Sequence, residues 1–308
     1  MKQSFVHLSA MVILVISMLC ISCNNEEIKV PNQLPNEQVS TTAYNTLLQE
    51  LNLYSKNFIS QKSSRSSIPS TEYSPIIDLN SNEEVFIEEE PPIIPIQPLR
   101  IGKVAKADCK GAIRGAKAGF WAGILVGACS SLLAAATSYT TTMTSTPIAT
   151  VDIKGEVNQI DSTGYYHNLI VAQTMPTITQ NISTISEAEI FDLAVNALPQ
   201  FNESHTTEQK EEIKKDFLHF QEIAIKPSEE EANKNIQKEY PELVEEMKVV
   251  DLYFESINQM TNSTEVINYT HDYKNIIIDS EIPQESKQRL EGGLSVATNS
   301  LLIWTPIE

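Results

Sequence analysis

The stretch that decides how this chain folds is Gly111-Ala-Ile-Arg-Gly115-Ala-Lys-Ala-Gly119-Phe-Trp-Ala-Gly123-Ile-Leu-Val-Gly127. Glycine returns at every fourth position, and Ser131 and Ala135 continue the row. These five glycines are half of the ten in the chain. On a helix, residues four apart form one ridge, and a ridge without side chains is a groove that another helix can enter to backbone contact. Each glycine costs a helix about 1 kcal/mol relative to alanine, so five in one segment require compensation from packing.

The surroundings of the ladder change character along its length. Ahead of it lie Arg100, Lys103, Lys106, Lys110, Arg114 and Lys117, against the single acid Asp108. From Ala118 to Val151 there is no charge. As a helix, Ala118 to Ser138 would run roughly 31 Å, close to the thickness of a bilayer core. Its strongly inserting residues are few: Phe120, Ile124, Leu125, Val126, Leu132 and Leu133, each contributing about −0.3 to −0.6 kcal/mol. Three states fit residues 100–150: a membrane-contacting segment, a Gly/Ala-rich apolar helix or hairpin buried in the fold, and a segment of no fixed state. Cys109 and Cys129 would stand about 30 Å apart on one straight helix. A disulfide needs Cα atoms within about 7 Å. A bond between these two cysteines would therefore select the hairpin.

Residues 151–308 read as an acidic all-helical domain of six or seven helices. Ser186 with Glu189, Thr206 with Gln209 and Ser228 with Glu231 have capping-box spacing. Pro241 and Pro283 suit first-turn positions. Apolar stripes at helical spacing run through Ile190, Phe191, Ala194, Val195 and Leu198, and through Ile213, Phe217, Phe220 and Ala224. Two more run through Leu243, Met247, Val250, Phe254 and Ile257, and through Leu290, Leu294, Ala297, Leu301 and Trp304. Before the ladder, residues 38–58 read as one helix, with Leu47, Leu48, Leu51, Tyr54 and Phe58 at helical spacing. Residues 60–97, with Glu88 to Glu90 and Pro91, Pro92 and Pro95, read as a disordered linker. The fold class is mainly α.

The amino end carries an address. Lys2 precedes an apolar run from Met11 to Leu19, too short to span a bilayer, and small residues follow, as in a secretory signal peptide over residues 1–22. The segment 23–99 then holds the tether, one helix and the linker. The 308 residues carry 40 acids against 22 bases, a net charge of −18. Removing residues 1–22 takes only Lys2 among the charges, so the remainder is more acidic still. Such a surface repels nucleic acid and anionic lipid alike, and nucleic acid is excluded as a partner. No zincin, phosphate-loop, nucleophile-elbow or dinucleotide pattern occurs, so no catalytic residue, metal ligand or cofactor is assigned. His271 beside Asp272 reads as an ordinary surface histidine.

Cys20-Ile21-Ser22-Cys23 followed by Glu26 and Glu27 resembles the lipobox and surface-export tag of Bacteroidetes lipoproteins. Cys20 stands where that family usually has leucine. The resemblance implies lipidation of Cys23 by palmitate-class acyl chains and placement at the outer membrane, with exposure at the cell surface. The ladder resembles glycine-zipper segments of membrane-associated proteins. His167-Asn168 near the start of the acidic domain and Ser300…Trp304 near its end resemble a pattern in uncharacterised lipoproteins of the same group. His167 and Asn168 are accordingly the candidate polar site, read first as a structural pair at a helix start. Asp161-Ser162-Thr163 resembles a short O-glycosylation motif of that phylum. The function expected is a lipid-anchored, non-enzymatic module that contacts membrane, a second copy or partner helices through the ladder. The alternatives are a membrane-active protein that oligomerises through the glycines, such as a pore former or antibacterial effector, and an enzyme of unknown type.

Overall fold

The structure is a computed structural model that describes residues 36–65, 98–138, 141–143, 162–181, 184–224 and 229–306. Cys23, the signal peptide and the 66–97 part of the linker lie outside the described residues. Helix α1 spans Asn36–Arg65, longer at both ends than its apolar stripe. Leu47 and Leu51 are buried, while Leu48, Tyr54 and Phe58 are half-buried against the core.

The glycine ladder folds as a hairpin. Helix α2 (Pro98–Gly115) ends in a 3-10 turn, Ala116–Ala118, and helix α3 (Phe120–Ser138) returns along it. The reversal falls at Gly119, whose φ of 121° lies where a Cβ would clash with the backbone. The other four glycines then face inward. A Cβ on Gly115 would lie 2.5 Å from the Ala122 carbonyl oxygen and 2.7 Å from Val126 Cβ. One on Gly127 would lie 3.1 Å from Ala112 Cβ and 3.2 Å from the Asp108 carbonyl oxygen. The two backbones therefore touch where side chains are missing, and this contact is the packing that offsets the poor helix propensity.

Helix α3 is apolar on all sides, and a helix of that kind belongs in a core. Ala122, Ile124, Leu125, Ala128, Cys129 and Leu132 are fully buried. Among the described residues no helix is long and apolar enough to cross a membrane. Cys109 and Cys129 are both buried free thiols, so the disulfide considered from their spacing is absent. Glycine packing closes the hairpin without it.

The remaining helices wrap this hairpin. They are α4 (Ser162–Asn181), α5 (Glu187–Asn196), α6 (Pro199–Ser204), α7 (Thr207–Ala224) and α8 (Glu229–Glu239). After a 3-10 turn at Pro241–Leu243 come α9 (Val244–Ile257), α10 (Ser263–Asp279) and α11 (Gln284–Ile303). Eight α-helices are thus described after residue 151, not six or seven; Pro199 opens the short α6 between two longer ones. The domain is also not wholly helical. Strand β1 (Thr141–Met143) pairs antiparallel with β2 (Trp304–Pro306), with Met143 opposite Trp304.

The start signals hold where they are described. Ser186 and Glu189 form a reciprocal capping box on α5. Thr206 and Gln209 exchange bonds of 2.8 and 3.3 Å ahead of α7. Pro241 opens its 3-10 turn, but Pro283 sits one place earlier than expected, at the N-cap of α11. Ser228 lies outside the described residues.

Ser40–Glu308 clusters as one compact unit, so the ladder and the acidic helices share a core. Four of the six basic residues ahead of the apolar run meet this chain's own acids. Lys106 and Lys110 both reach Asp251, at 3.0 and 2.9 Å. Arg114 pairs with Asp216 and stacks over the Tyr240 ring, and Lys117 pairs with Glu242. A cationic helix is what an acidic helical shell requires at its centre.

Candidate functional site

Asp108, the one acid of the basic lead-in, is completely buried on α2. Three further helices bring polar groups to it. Ser131 on α3 donates to Oδ2 at 2.9 Å, and Ser300 on α11 donates to the same oxygen. His167 on α4 places Nε2 3.6 Å from Oδ2. Trp304, at the start of β2, donates from Nε1 to Ser131 Oγ at 3.1 Å. The second carboxyl oxygen has no hydrogen-bond partner.

The histidine is fixed from its other side. His167 Nδ1 lies 2.9 Å from Asn168 Oδ1, and Asn168 Nδ2 donates to the Asn299 carbonyl oxygen at 3.0 Å. The asparagine oxygen accepts, so Nδ1 carries the hydrogen. Nε2 then turns a lone pair toward the carboxyl group, and two facing acceptors require one proton between them. Burial pushes the Asp108 carboxyl well above the usual range, opposed by the hydroxyls of Ser300 and Ser131. Burial also lowers His167 to about 4, opposed by its bond to Asn168. Both shifts favour the uncharged forms, a protonated carboxyl beside a neutral imidazole.

The residue types are those of nucleophilic catalysis, but the geometry is not. Both serine hydroxyls bond the carboxyl and neither bonds the imidazole, so no serine has a base. Asp108, Ser131, His167 and Ser300 are all 0% exposed, and a substrate has no route to them. The cluster is a lock: it ties α2, α3, α4 and α11 to β2 through directional bonds that an alternative packing would leave unsatisfied.

Two open clefts flank the hairpin tip. The first has a volume of about 610 Å³ and is lined by Ala112, Lys117, Phe120, Thr163, Arg289 and Gly292, among others. The second, about 650 Å³, lies on the α7 side and is lined by Arg114, His205, Asp216 and His219, among others.

The candidate residues from sequence distribute as follows. Gly111, Gly115, Gly123 and Gly127 are buried inside the hairpin, and Gly119 forms its turn. His167 and Asn168 join Ser300 and Trp304, as the early-and-late pattern brings them together, but at a core position. His271 stays at the surface with Asp272 at 3.0 Å, away from that buried centre. In the glycosylation-like triplet Asp161 is outside the described residues and Thr163 is buried. Asp108, which faces His167, and Ser131, which donates to Asp108, were missed; the isolation of Asp108 among bases was the available signal. Gly292 carried no signal, and Thr163 stood out only as part of the glycosylation-like triplet. Among the described residues no group of three or more His, Cys, Asp or Glu is placed to hold a metal ion. No protein-family model, curated protein or solved structure matches the chain.

Proposed function

We propose that this chain is an outer-membrane lipoprotein, held by acyl chains on Cys23, whose helical unit is a non-enzymatic binding module presented beside the bilayer. Several acyl chains anchor stably where one holds only marginally. The observation that carries the module reading is the burial of the ladder: its glycines are occupied by this chain's own helices. The partner helices of the ladder are thus intramolecular, and the surface left for other molecules is the acidic shell with its two clefts. The locked core makes that shell a rigid platform.

Fractionation of the Cys23→Ala chain tests the reading. The variant leaves the membrane fraction, while the wild-type chain stays and its first mature residue carries the mass of a lipidated cysteine. Retention of Cys23→Ala in carbonate-washed membranes, or an unmodified mature amino terminus, overturns it.

A further inference from the structure

We infer that the cleft between the hairpin tip and the amino-terminal half of α11 is a binding site for a small organic anion bearing carboxylate or phosphate. The inference rests on the binding-module reading and narrows it to one place.

The floor of the cleft is bare for two different reasons. Gly293 must be glycine, because a Cβ there would lie 2.7 Å from Ile113 Cγ1. Gly292 need not be. A Cβ on it would meet nothing closer than Thr163 Cγ2 and Oγ1, both at 4.0 Å. Its φ is not in the left-handed region, and it stands inside a helix that any residue but proline would favour more. Packing gives no reason for its missing side chain. Keeping the cleft clear does.

Thr163 supplies an independent pointer. It is 4% exposed, it lines the cleft, and its Oγ1 has no hydrogen-bond partner. A buried hydroxyl left unmade costs stability, and a ligand oxygen in the cleft would satisfy it.

The sign of the ligand follows from the rim. Three helices begin there: α3 at Phe120, α4 beside Thr163 and α11 beside Glu285. Each helix start carries roughly half a positive charge. Lys117 and Arg289 line the cleft as well, each already paired with a carboxylate of this chain, Lys117 with Glu242 and Arg289 with the buried Glu246 at 2.6 Å, so the helix starts supply the positive potential that is not already matched. The carboxylate in the lining itself, Glu285, has an 88% exposed side chain and is screened by water. Phe120 forms an apolar wall, which suits a carbon-bearing anion better than a bare inorganic one.

Calorimetric titration of the full chain in detergent with citrate, inorganic phosphate and glucose tests the site, with Trp121 fluorescence as a second readout. Trp121 stacks edge-on to Phe120 at 4.9 Å between ring centres. Citrate is expected to give saturable heat and to change the tryptophan emission, with phosphate weaker. Gly292→Leu and Thr163→Val are each expected to weaken citrate at least tenfold while the urea midpoint stays at or above that of the wild type. Absence of saturable heat with either anion, unchanged affinity in both variants, or glucose binding as tightly as citrate overturns the inference. None of those results moves the Cys23→Ala fractionation, so failure of the cleft and failure of the anchor are separable.

Discussion

Replacing Asp108 by asparagine changes how stability depends on pH in a way that the buried cluster fixes in advance. Burial favours the uncharged form of both Asp108 and His167, so above about pH 4, the value to which it lowers the imidazole, the folded pair is expected to hold one proton. In the unfolded chain they titrate near 3.9 and 6.5. Between those values the unfolded pair also holds one proton, so the pair contributes no pH dependence. Above about 6.5 the unfolded pair has lost its proton, and stability falls by about 1.36 kcal/mol per pH unit for as long as the folded carboxyl keeps its own. Below about 4 each state gains a second proton, the unfolded on Asp108 and the folded on His167, so the pair again contributes no pH dependence.

The amide of Asp108→Asn keeps the shape and, with its oxygen in the place of Oδ2, accepts from Ser131 and Ser300. It has no proton to lose, so only His167 remains. That variant loses stability as pH drops from about 6.5 toward 4 and is level above. The wild type minus the variant therefore declines by about 1.36 kcal/mol per unit from pH 4 upward, until the folded carboxyl itself titrates. From pH 5 to pH 7 the difference amounts to about 2.7 kcal/mol on that slope. Urea unfolding of both chains at half-unit steps from pH 4.5 to 8.5 measures it, and the other acids cancel in the comparison. Parallel curves would refute the reasoning. They would mean that Asp108 enters the core ionised beside a neutral imidazole.

Glycines in different settings respond in opposite directions to one methyl group. Gly115→Ala, facing Ala122 and Val126 at 2.5 and 2.7 Å, lowers urea-unfolding stability by about 1–3 kcal/mol through overpacking. Gly292→Ala, with open space around it, raises stability by up to about 1 kcal/mol through helix propensity. Equal effects at the two positions would contradict the hairpin contact. Cys109 and Cys129, both fully buried with thiol pKa values pushed far up by burial, react with no maleimide in the native chain, and both react in urea without reductant. Labelling before unfolding, or none after it, would show a different arrangement of the two helices.

Much of this was legible in the sequence wherever the cause is local. The capping pairs at Ser186 and Thr206 and the stripe from Leu243 to Ile257 depend on neighbours within a few residues, and they stand as read. The turn at Gly119 was not distinguishable, because five glycines with equal spacing offer five equal places to bend. The basic lead-in invited a membrane reading. Its true counter-charges, Asp216, Glu242 and Asp251, lie more than a hundred residues away. The lock shows both limits. His167, Asn168, Ser300 and Trp304 stood out by pattern, but their meeting point is an aspartate 192 residues from Ser300. The anion cleft left no trace in the sequence because its evidence is what surrounds Gly292, not what Gly292 is.

The central claim is that the ladder turns back on itself inside the acidic unit. An Ala112→Cys, Gly127→Cys chain, with Cys109 and Cys129 replaced by alanine, tests it in the intact cell envelope. A Cβ on Gly127 lies 3.1 Å from Ala112 Cβ in the hairpin. On one continuous helix the two positions would stand about 22 Å apart. Mild oxidation is predicted to close the new disulfide within each chain, seen as a reduction-sensitive shift in gel mobility. A chain that stays open under oxidation while remaining folded contradicts the account.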